Sequence, residues 1–272
     1  MTGTGISYGA ISVLNAIPCG IGSTIGIDLR TEAVFEPTDG GIRITLVDRP
    51  GMDDRLVREC VRETLKAIGK EVPGYDLTVR SQIPPSRGLK SSSSVCNAVI
   101  SAVLDHFGKK MDPMDVVRLG VECAIYCKVT ITGAFDDACG CHLGGLVVTD
   151  NSRREIVSRK EMERYDVIVC SPEREITKDK VDVSAYRALK EKYEKLAQSI
   201  ADDPLRVLEE NGRAVAGIIG MDDSVVSKAK GLGAIAGGVS GTGPAIAIVC
   251  EPGTGRKIAE GLGCETILCR VR

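Results

Sequence analysis

The chain has 272 residues, a formal net charge of −2 and a hydrophobic fraction of 43%, and this length allows one large domain or two small ones with a substantial core. The charge gives no electrostatic reason to expect nucleic acid as a partner. Three Phe, six Tyr and no Trp also leave few platforms for stacking single-stranded bases. Composition therefore favours a soluble enzyme without indicating which one.

Export and membrane insertion are not expected. Residues 1–7 lack a basic region followed by an apolar stretch, so no secretory signal is predicted. The uncharged segment 231–250 could be mistaken for a membrane span, but its six glycines and Pro244 predict a loop between short apolar elements. We therefore expect a cytoplasmic protein without a membrane partner.

The eleven cysteines are odd in number and mostly lie in apolar runs. Reduced, buried thiols are the favoured interpretation. A zinc site is the weaker alternative because the chain has no Cys-x-x-Cys pair. The residues that such a site would use are Cys123, Cys127, Cys139, Cys141 and His142.

The first half of the chain mixes helical and strand patterns. Its predicted elements are, in order, a helix from Asp53-Asp54 to about Gly69, a strand at 75–83, a helix-like run at 95–104, a helix from Asp112-Pro113 to about Lys128, and a strand at 146–149. Aspartate before the first turn and proline within it are typical helix starts. The charged stretch 151–164 is the candidate domain junction.

The second half is predicted to form a small α+β layer. Its elements are, in order, a strand at 166–170, a charged helix at about 185–200, a helix opening at Asp203-Pro204, a strand at 244–250, a helix-like run at 256–262 and a strand at 266–271. No internal repeat at a fixed period is present. The fold class is therefore α+β.

Residues 84–94 read PPSRGLKSSSS and join the predicted strand at 75–83 to the helix-like run at 95–104. Gly88 allows the backbone to approach an anion closely, and serines are favoured caps of a helix whose free N–H groups attract phosphate. Lys90 adds a charge, and Ser91 to Ser94 add hydroxyls able to reach a metal-bound triphosphate. The segment predicts a phosphate-binding loop; an ordinary serine-rich helix start is the alternative.

This loop is not a Walker A motif, because Ile83 stands where the first glycine would be and Leu89 separates Gly88 from Lys90. It resembles the central motif P-x-x-x-G-L-x-S-S of the GHMP kinase superfamily of small-molecule kinases. Residues 237–245, GGVSGTGPA, resemble the C-terminal glycine motif of that superfamily, and residues 133–138, GAFDDA, resemble its catalytic-aspartate segment.

Within the superfamily, the chain resembles the archaeal type of shikimate kinase. The resemblance rests on the undivided run of four serines, on residues 8–17 with 20–22, and on residues 130–138. It spans essentially the whole chain and implies a GHMP kinase fold of two α/β-layered domains with the nucleotide cleft between them. Residues 1–155 would carry the serine-rich loop and the catalytic aspartate, and residues 156–272 the glycine-rich motif.

The resemblance implies ATP and Mg²⁺ as cofactors. The residues that match its cofactor-binding motifs are Pro85, Gly88, Leu89, Lys90, Ser91, Ser92, Ser93, Ser94, Gly241 and Gly243. The glycines would let a backbone loop close over the phosphates, although simple turn formation explains them equally. Family members place a serine hydroxyl and a helix glutamate on the metal, so Ser92 and Glu122 are the expected ligands; a solvated or salt-bridged Glu122 is the alternative.

Asp136 and Asp137 are the candidates for the catalytic base. A carboxylate beside the acceptor hydroxyl favours loss of its proton as the γ-phosphoryl group arrives. The family spacing favours Asp136, and shifting the alignment by one residue selects Asp137. The other aspartate is expected to cap the helix that follows.

The acceptor implied by the resemblance is shikimate, phosphorylated at its 3-hydroxyl. A carboxylate-bearing substrate needs a cationic fork, for which Arg87 is the candidate. Asn15 is a second candidate for substrate binding, with an amide in a turn before Pro18 as the alternative. Homoserine, mevalonate or pantoate remain alternative acceptors, and a non-catalytic nucleotide-binding protein is the alternative of a different class.

Overall fold

The computed structural model describes residues 2–172, 176 and 181–272. Two sheets and the helices packed on them make up the fold, which confirms the α+β class. The strands are β1 Gly3–Leu14, β2 Ile21–Thr38, β3 Gly41–Leu46, β4 Gly74–Ser81, β5 Leu146–Asp150, β6 Glu155–Lys160, β7 Asp166–Cys170, β8 Ala236–Val239, β9 Ile246–Cys250 and β10 Thr266–Arg270. The helices are α1 Arg55–Ala67, α2 Ser91–His106, α3 Pro113–Tyr126, α4 Phe135–Leu143, α5 Val183–Arg187, α6 Lys190–Ser199, α7 Pro204–Ile219, α8 Ser224–Gly231 and α9 Gly255–Leu262.

The larger sheet has the strand order β3-β4-β2-β5-β6, with β1 paired antiparallel to β2. Helix α2 packs directly on β1, because Gly5 has no Cβ and a side chain there would overlap the carbonyl of Ala98. Most residues of this helix are buried, and its apolar ones join α1, α3 and the sheet in one core cluster. The close packing brings the start of α2 to the end of β1.

The smaller sheet has the order β10-β7-β9-β8 with every pair antiparallel. A β-bridge between Ile27 and Val271 links it to the larger sheet, and one core cluster includes side chains from both. The expected domain boundary between residues 155 and 156 falls at the first residues of β6, which pairs with β5 in the larger sheet. The division of the chain into two domains stays a prediction.

Several elements agree closely with the sequence. Asp112 caps α3 by accepting a hydrogen bond from the Met114 N–H at 2.8 Å, and Asp203 caps α7 in the same way through Arg206 at 3.0 Å. The uncharged segment 231–250 contains the end of α8 and strands β8 and β9, and none of the helices that the structure describes has the length and apolar character for a bilayer. The prediction of short apolar elements there is confirmed.

One prediction of local structure needs correction, and one strand was not predicted. Strand β6 lies within the polar stretch 151–164, and its residues are largely exposed because it lies at the edge of the sheet. The helix predicted over 185–200 is divided into α5 and α6 at Ala188 and Leu189.

All eleven cysteines are free thiols and eight of them are buried, although Cys264 is exposed.

Candidate active site

The serine-rich loop, residues 84–94, leads into helix α2 and includes its first four residues. Lys90 occupies the cap position in a left-handed conformation with φ 66°, and its side chain makes no capping hydrogen bond to the first turn. Ser91 to Ser94 form that first turn, so the prediction that a serine caps the helix is wrong. The uncapped N–H groups of the turn and the positive end of the helix dipole remain available to an anion.

The side chain of Lys90 is buried, with 5% of its surface exposed, and forms an ion pair with Asp137. Its Nζ lies 2.8 Å from Asp137 Oδ1 and donates a hydrogen bond of 2.6 Å to Ser12 Oγ. Burial by itself lowers the pKa of Lys90, but the carboxylates of Asp137 and Asp136 outweigh it and the pKa is raised. The lysine therefore carries a positive charge at neutral pH.

Ser12 joins the serine-rich loop to the glycine-rich motif. The pairing of β1 with β2 shifts register between Ser12 and Leu14, and such an irregularity re-aims nearby side chains. The Ser12 hydroxyl accepts hydrogen bonds from both Lys90 Nζ and the Gly241 N–H, the latter at 2.9 Å. The Ser240 hydroxyl in turn donates to the Gly88 carbonyl at 2.8 Å. Polar contacts between distant segments thus fix the two loops against each other.

Helix α4 presents the two aspartates from its first turn. Ala134 occupies the cap position with φ 49°, and neither aspartate caps the helix, contrary to the prediction. Asp136 is buried, and its Oδ1 accepts a hydrogen bond of 2.7 Å from Asn151 Nδ2. The two carboxylates therefore have different partners, an amide for Asp136 and an ammonium for Asp137.

Burial and the neighbouring Asp137 raise the pKa of Asp136 from its ordinary value of 3.8 to about 6, although Lys90 and Asn151 act in the opposite direction. A carboxylate with this pKa is still ionised at neutral pH and is more basic than an ordinary aspartate. Asp136 therefore has the basicity that suits a proton acceptor.

The raised pKa of Asp136 predicts a pH-dependent cost to stability. Between about pH 4 and about pH 6 the folded state holds a proton that the unfolded state has lost, so the free energy of unfolding falls as pH rises. Asp136→Asn removes this loss, and we expect the variant to exceed wild type in stability by up to about 3 kcal/mol above pH 6. Denaturant unfolding at a series of pH values measures the difference, which should vanish below about pH 4. An equal difference at every pH would contradict the assignment.

Two adjoining cavities meet at the Lys90–Asp137 pair. The larger, of about 350 Å³, has a wall formed by the serine-rich loop and the end of α3. The smaller, of about 40 Å³, lies beside the start of α4. The residues that line both are Lys90, Thr130, Ala134, Asp137, Gly241 and Thr242. Asp136 lines only the smaller pocket. The Lys90–Asp137 ion pair therefore lies between the larger cavity and the pocket that contains the carboxylate of Asp136.

Most residues of the predicted cofactor set line the larger cavity. They are Gly88, Leu89, Lys90, Ser91, Ser92, Ser93 and Gly241. Pro85, Ser94 and Gly243 do not line either cavity. Ser94 is fully buried, and its N–H donates to the Lys90 carbonyl, so its position supports the helix start instead of a ligand.

The two predicted substrate-binding residues have different surroundings. Asn15 lines the smaller pocket, but its amide is engaged: Nδ2 donates to the Gly241 carbonyl at 3.1 Å and Oδ1 accepts from the Ile17 N–H at 2.9 Å. Arg87 lines the larger cavity and donates to the Ser171 hydroxyl at 3.2 Å. Arg87 thus lies on the larger cavity together with the serine-rich loop, and its assignment to the acceptor carboxylate stays a prediction.

Glu122 lies away from both cavities. Its side chain is 55% exposed and forms an ion pair with Arg154. Its neighbours in α3, Val121 and Cys123, are buried in the core, whereas Glu122 projects to the surface. Among the described residues no cluster of three or more His, Cys, Asp or Glu side chains could hold a metal ion. The position of Glu122 does not support the expected pairing with Ser92.

Sequence reasoning missed Ser12, Asn151 and a third cavity. That cavity, of about 150 Å³, adjoins the serine-rich loop and shares Met52, Ser92 and Val129 with the larger one. Its apolar lining residues include Leu46, Leu56, Val57, Val79 and Val95. Apolar residues from four elements line it, so no local sequence pattern indicates it. Asn151 could have been noticed as a polar residue directly after a buried strand.

Comparison with known proteins is consistent with this geometry. Residues 55–145 match the family model described as GHMP kinases N terminal domain. The shikimate kinase of Methanothrix thermoacetophila is 38% identical over 96% of this chain and 89% of its own length, and that of Pyrococcus furiosus is 36% identical over 93% of both. The crystal structure of the Methanococcus jannaschii mevalonate kinase superposes with a TM-score of 0.80 at 16% identity, covering 100% of this chain and 98% of the other.

Together, the family model and the archaeal relatives show that the protein is a small-molecule kinase. Because the identity to the archaeal relatives exceeds 30% over nearly the whole chain, the protein belongs to the GHMP kinase family and, within it, to the group of the archaeal shikimate kinases. The use of ATP follows from membership of that family.

Proposed function

We propose that the protein transfers the γ-phosphoryl group of ATP to the 3-hydroxyl of shikimate. The observation that carries the proposal is the buried Lys90–Asp137 pair, which stands between a cavity lined by the serine-rich loop and a pocket that contains Asp136. A kinase needs a phosphate cradle on one side of the transferred group and a base on the other. Shikimate is proposed because the archaeal relatives named above are shikimate kinases.

The nucleotide is proposed to occupy the 350 Å³ cavity and the 150 Å³ cavity that adjoins it. We place the triphosphate in the 350 Å³ cavity, where the uncapped first turn of α2 offers backbone N–H donors. The adenine fits the adjoining 150 Å³ cavity, whose lining is mainly apolar. Arg49 lines that cavity and donates a hydrogen bond of 2.8 Å to Ser91 Oγ, so it links the adenine side to the serine-rich loop.

The acceptor hydroxyl fits the smaller pocket beside Asp136. At about 40 Å³ the pocket has room for a few water-sized groups, so it suits the reacting hydroxyl and not the whole acceptor. Asp136 would take the hydroxyl proton while the acceptor oxygen bonds to the γ-phosphorus and ADP leaves. Water would then receive the proton from Asp136.

Lys90 would stabilise the charge on the transferred group. An ammonium has three donors, and in the described part of the chain two of them are directed at Asp137 and Ser12. The remaining donor is available to a phosphoryl oxygen at the boundary of the two spaces. Because Asp137 and Ser12 hold the ammonium in place, little reorganisation would be needed as the charge develops.

Mg²⁺ is proposed to enter with ATP. Ser92 lines the phosphate cavity, so its hydroxyl is the protein group that fits the ion, and Glu122 does not. When bound, Mg²⁺ would neutralise charge on the phosphate oxygens. A magnesium ion commonly keeps several waters and binds mainly through substrate phosphates, so one protein ligand is compatible with its chemistry.

A coupled assay of ADP release tests the substrate. With ATP and Mg²⁺ present, we expect turnover with shikimate and much slower turnover with equal concentrations of homoserine, mevalonate, pantoate or galactose. Phosphorus NMR of the product should show a single phosphate ester at the 3-position. Preferential turnover of another alcohol would reject shikimate and retain the kinase mechanism. ATP binding without any phosphoryl transfer would favour a nucleotide-binding protein instead.

A further inference from the structure

Asn151, directly after β5, is buried against the start of α4. Its Nδ2 donates a hydrogen bond of 2.7 Å to Asp136 Oδ1, and its Oδ1 accepts one of 3.2 Å from the Asp136 N–H. One side chain therefore binds both the carboxylate and the backbone of Asp136. Such a two-point contact restricts the rotation of the carboxylate as well as its position.

The orientation of the Asn151 amide is determined by its neighbours. The backbone N–H of Asp136 can only donate, so it requires the oxygen of the amide. The hydroxyl of Thr149, which is fully buried, donates to the same oxygen at 2.7 Å. Because both donors meet Oδ1, the NH₂ group is directed at Asp136 and supplies a hydrogen bond to an ionised carboxylate.

The other side of Asp136 meets backbone. A Cβ placed on Gly22 would lie 2.5 Å from both Cγ and Oδ2 of Asp136, so β2 closely approaches the carboxylate. The Thr24 hydroxyl from the same strand donates to the Asp136 carbonyl at 2.9 Å. The charged groups that face Asp136 are Asp137 and Lys90, while β2 and β5 contribute neutral groups only. Position, rotation and electrostatic surroundings of the carboxylate are thus all set by contacts.

We propose that Asn151 is a positioning residue for phosphoryl transfer: its amide, oriented by Thr149, anchors Oδ1 of Asp136 and so fixes the carboxylate that receives the proton of the acceptor hydroxyl. The inference rests on the proposed function, in which Asp136 is the base. The acceptor oxygen bonds to the γ-phosphorus, the bond from that phosphorus to the β,γ-bridging oxygen breaks, and the hydroxyl proton passes to Asp136 and then to water.

Loss of the amide has a second expected effect, on basicity. The hydrogen bond from Asn151 lowers the pKa of Asp136 and so opposes the larger effects of burial and Asp137. Without it the carboxylate would hold its proton to higher pH. The acid limb of the kcat profile should then move to higher pH, which loss of an ordinary structural contact would not cause.

The test compares Asn151→Ala with wild type in a full pH profile of kcat and of the KM for ATP and the acceptor. We expect kcat at neutral pH to fall about 10- to 100-fold, as is typical when a residue that orients a functional group is removed, and the acid limb to shift upward by about one pH unit. The KM for ATP should stay unchanged, because Asn151 does not line the phosphate cavity. Thr149→Val replaces the hydroxyl that orients the amide with a methyl group. It should lower kcat and shift the acid limb upward as well, each by a smaller amount.

A matched control is Asn97→Ala. Asn97 is also a fully buried amide bonded to α4, since its Nδ2 donates to the Ala138 carbonyl at 3.1 Å, but it has no hydrogen bond with Asp136. Stability should fall in this variant while the position of the acid limb stays that of wild type.

An Asn151→Ala enzyme with an unshifted profile, or with the same behaviour as Asn97→Ala, would overturn the inference. If Asn151→Ala does not fold, a Thr149→Val enzyme with an unshifted pH profile would overturn the inference. Failure of the proposed function is a separate outcome, because wild type itself would then give no turnover with shikimate. If another alcohol is the acceptor, the same comparison is made with it and decides the inference in the same way.

Discussion

Replacing Asp136 with asparagine is expected to lower kcat by about three orders of magnitude and to leave the affinity for ATP unchanged. Asparagine has the same shape and keeps an oxygen for the hydrogen bond from Asn151, but it cannot accept the hydroxyl proton. Asp136 lines only the smaller pocket, so the phosphate cavity should be intact in the variant. Steady-state kinetics of ADP release give kcat, and titration calorimetry gives the Kd for ATP.

The control for this variant is Asp202→Asn, an exposed carboxylate outside the cleft, which should behave as wild type. A rate of Asp136→Asn close to wild type would transfer the role of base to Asp137. Loss of ATP binding together with turnover would instead show that the substitution disturbs the phosphate cavity. The gain in stability predicted above for the same variant at neutral pH provides an independent check that it is folded.

The sequence could indicate the pair of aspartates but could not assign their roles. Adjacent carboxylates in one helical turn differ only through their partners, and those partners come from distant segments. Asp137 meets Lys90 from the serine-rich loop, and Asp136 meets Asn151 from the end of β5. A local pattern carries no information on such pairings, because the packing of α2 and α4 against the larger sheet determines them.

The fold was predictable where local signals are strong. Asp112-Pro113 and Asp203-Pro204 mark the starts of α3 and α7, and the apolar run 166–170 coincides with β7. Strand β6 was not predictable, because an edge strand exposed on most of its surface has the composition of a loop. The helix break at Ala188 and Leu189 likewise has neither glycine nor proline to indicate it.

For Lys90, too, the sequence indicates the residue but not its tertiary contacts. Its charge in a serine-rich loop indicates phosphate binding, and the cavity it lines is compatible with that role. The sequence does not indicate that the side chain is buried, or that the Ser12 hydroxyl from β1 fixes its ammonium. Both features arise from the meeting of the serine-rich loop with β1 and the glycine-rich motif.

Lys90→Met is expected to lower kcat by about 100- to 1,000-fold, which is typical for loss of one fixed donor to a developing charge. Methionine is unbranched like lysine, lacks only the terminal ammonium position and places the same demand on the left-handed backbone, so loss of the ammonium is the main change. Stability should fall as well, because Asp137 loses its cation while only 17% of its side chain is exposed. Breaking a buried pair costs about 3–5 kcal/mol, and partial access of water to Asp137 places the expected loss at the lower end of that range.

The double variant Lys90→Met/Asp137→Asn separates the two effects. Removing the unpaired carboxylate should recover most of the stability, while kcat stays low because the ammonium is still missing. Lys109→Met, an exposed lysine outside the cleft, is the matched control. Denaturant unfolding and steady-state kinetics on the four proteins give both quantities. Recovery of kcat together with stability in the double variant would show that Lys90 acts only by neutralising Asp137 and makes no direct contribution to phosphoryl transfer.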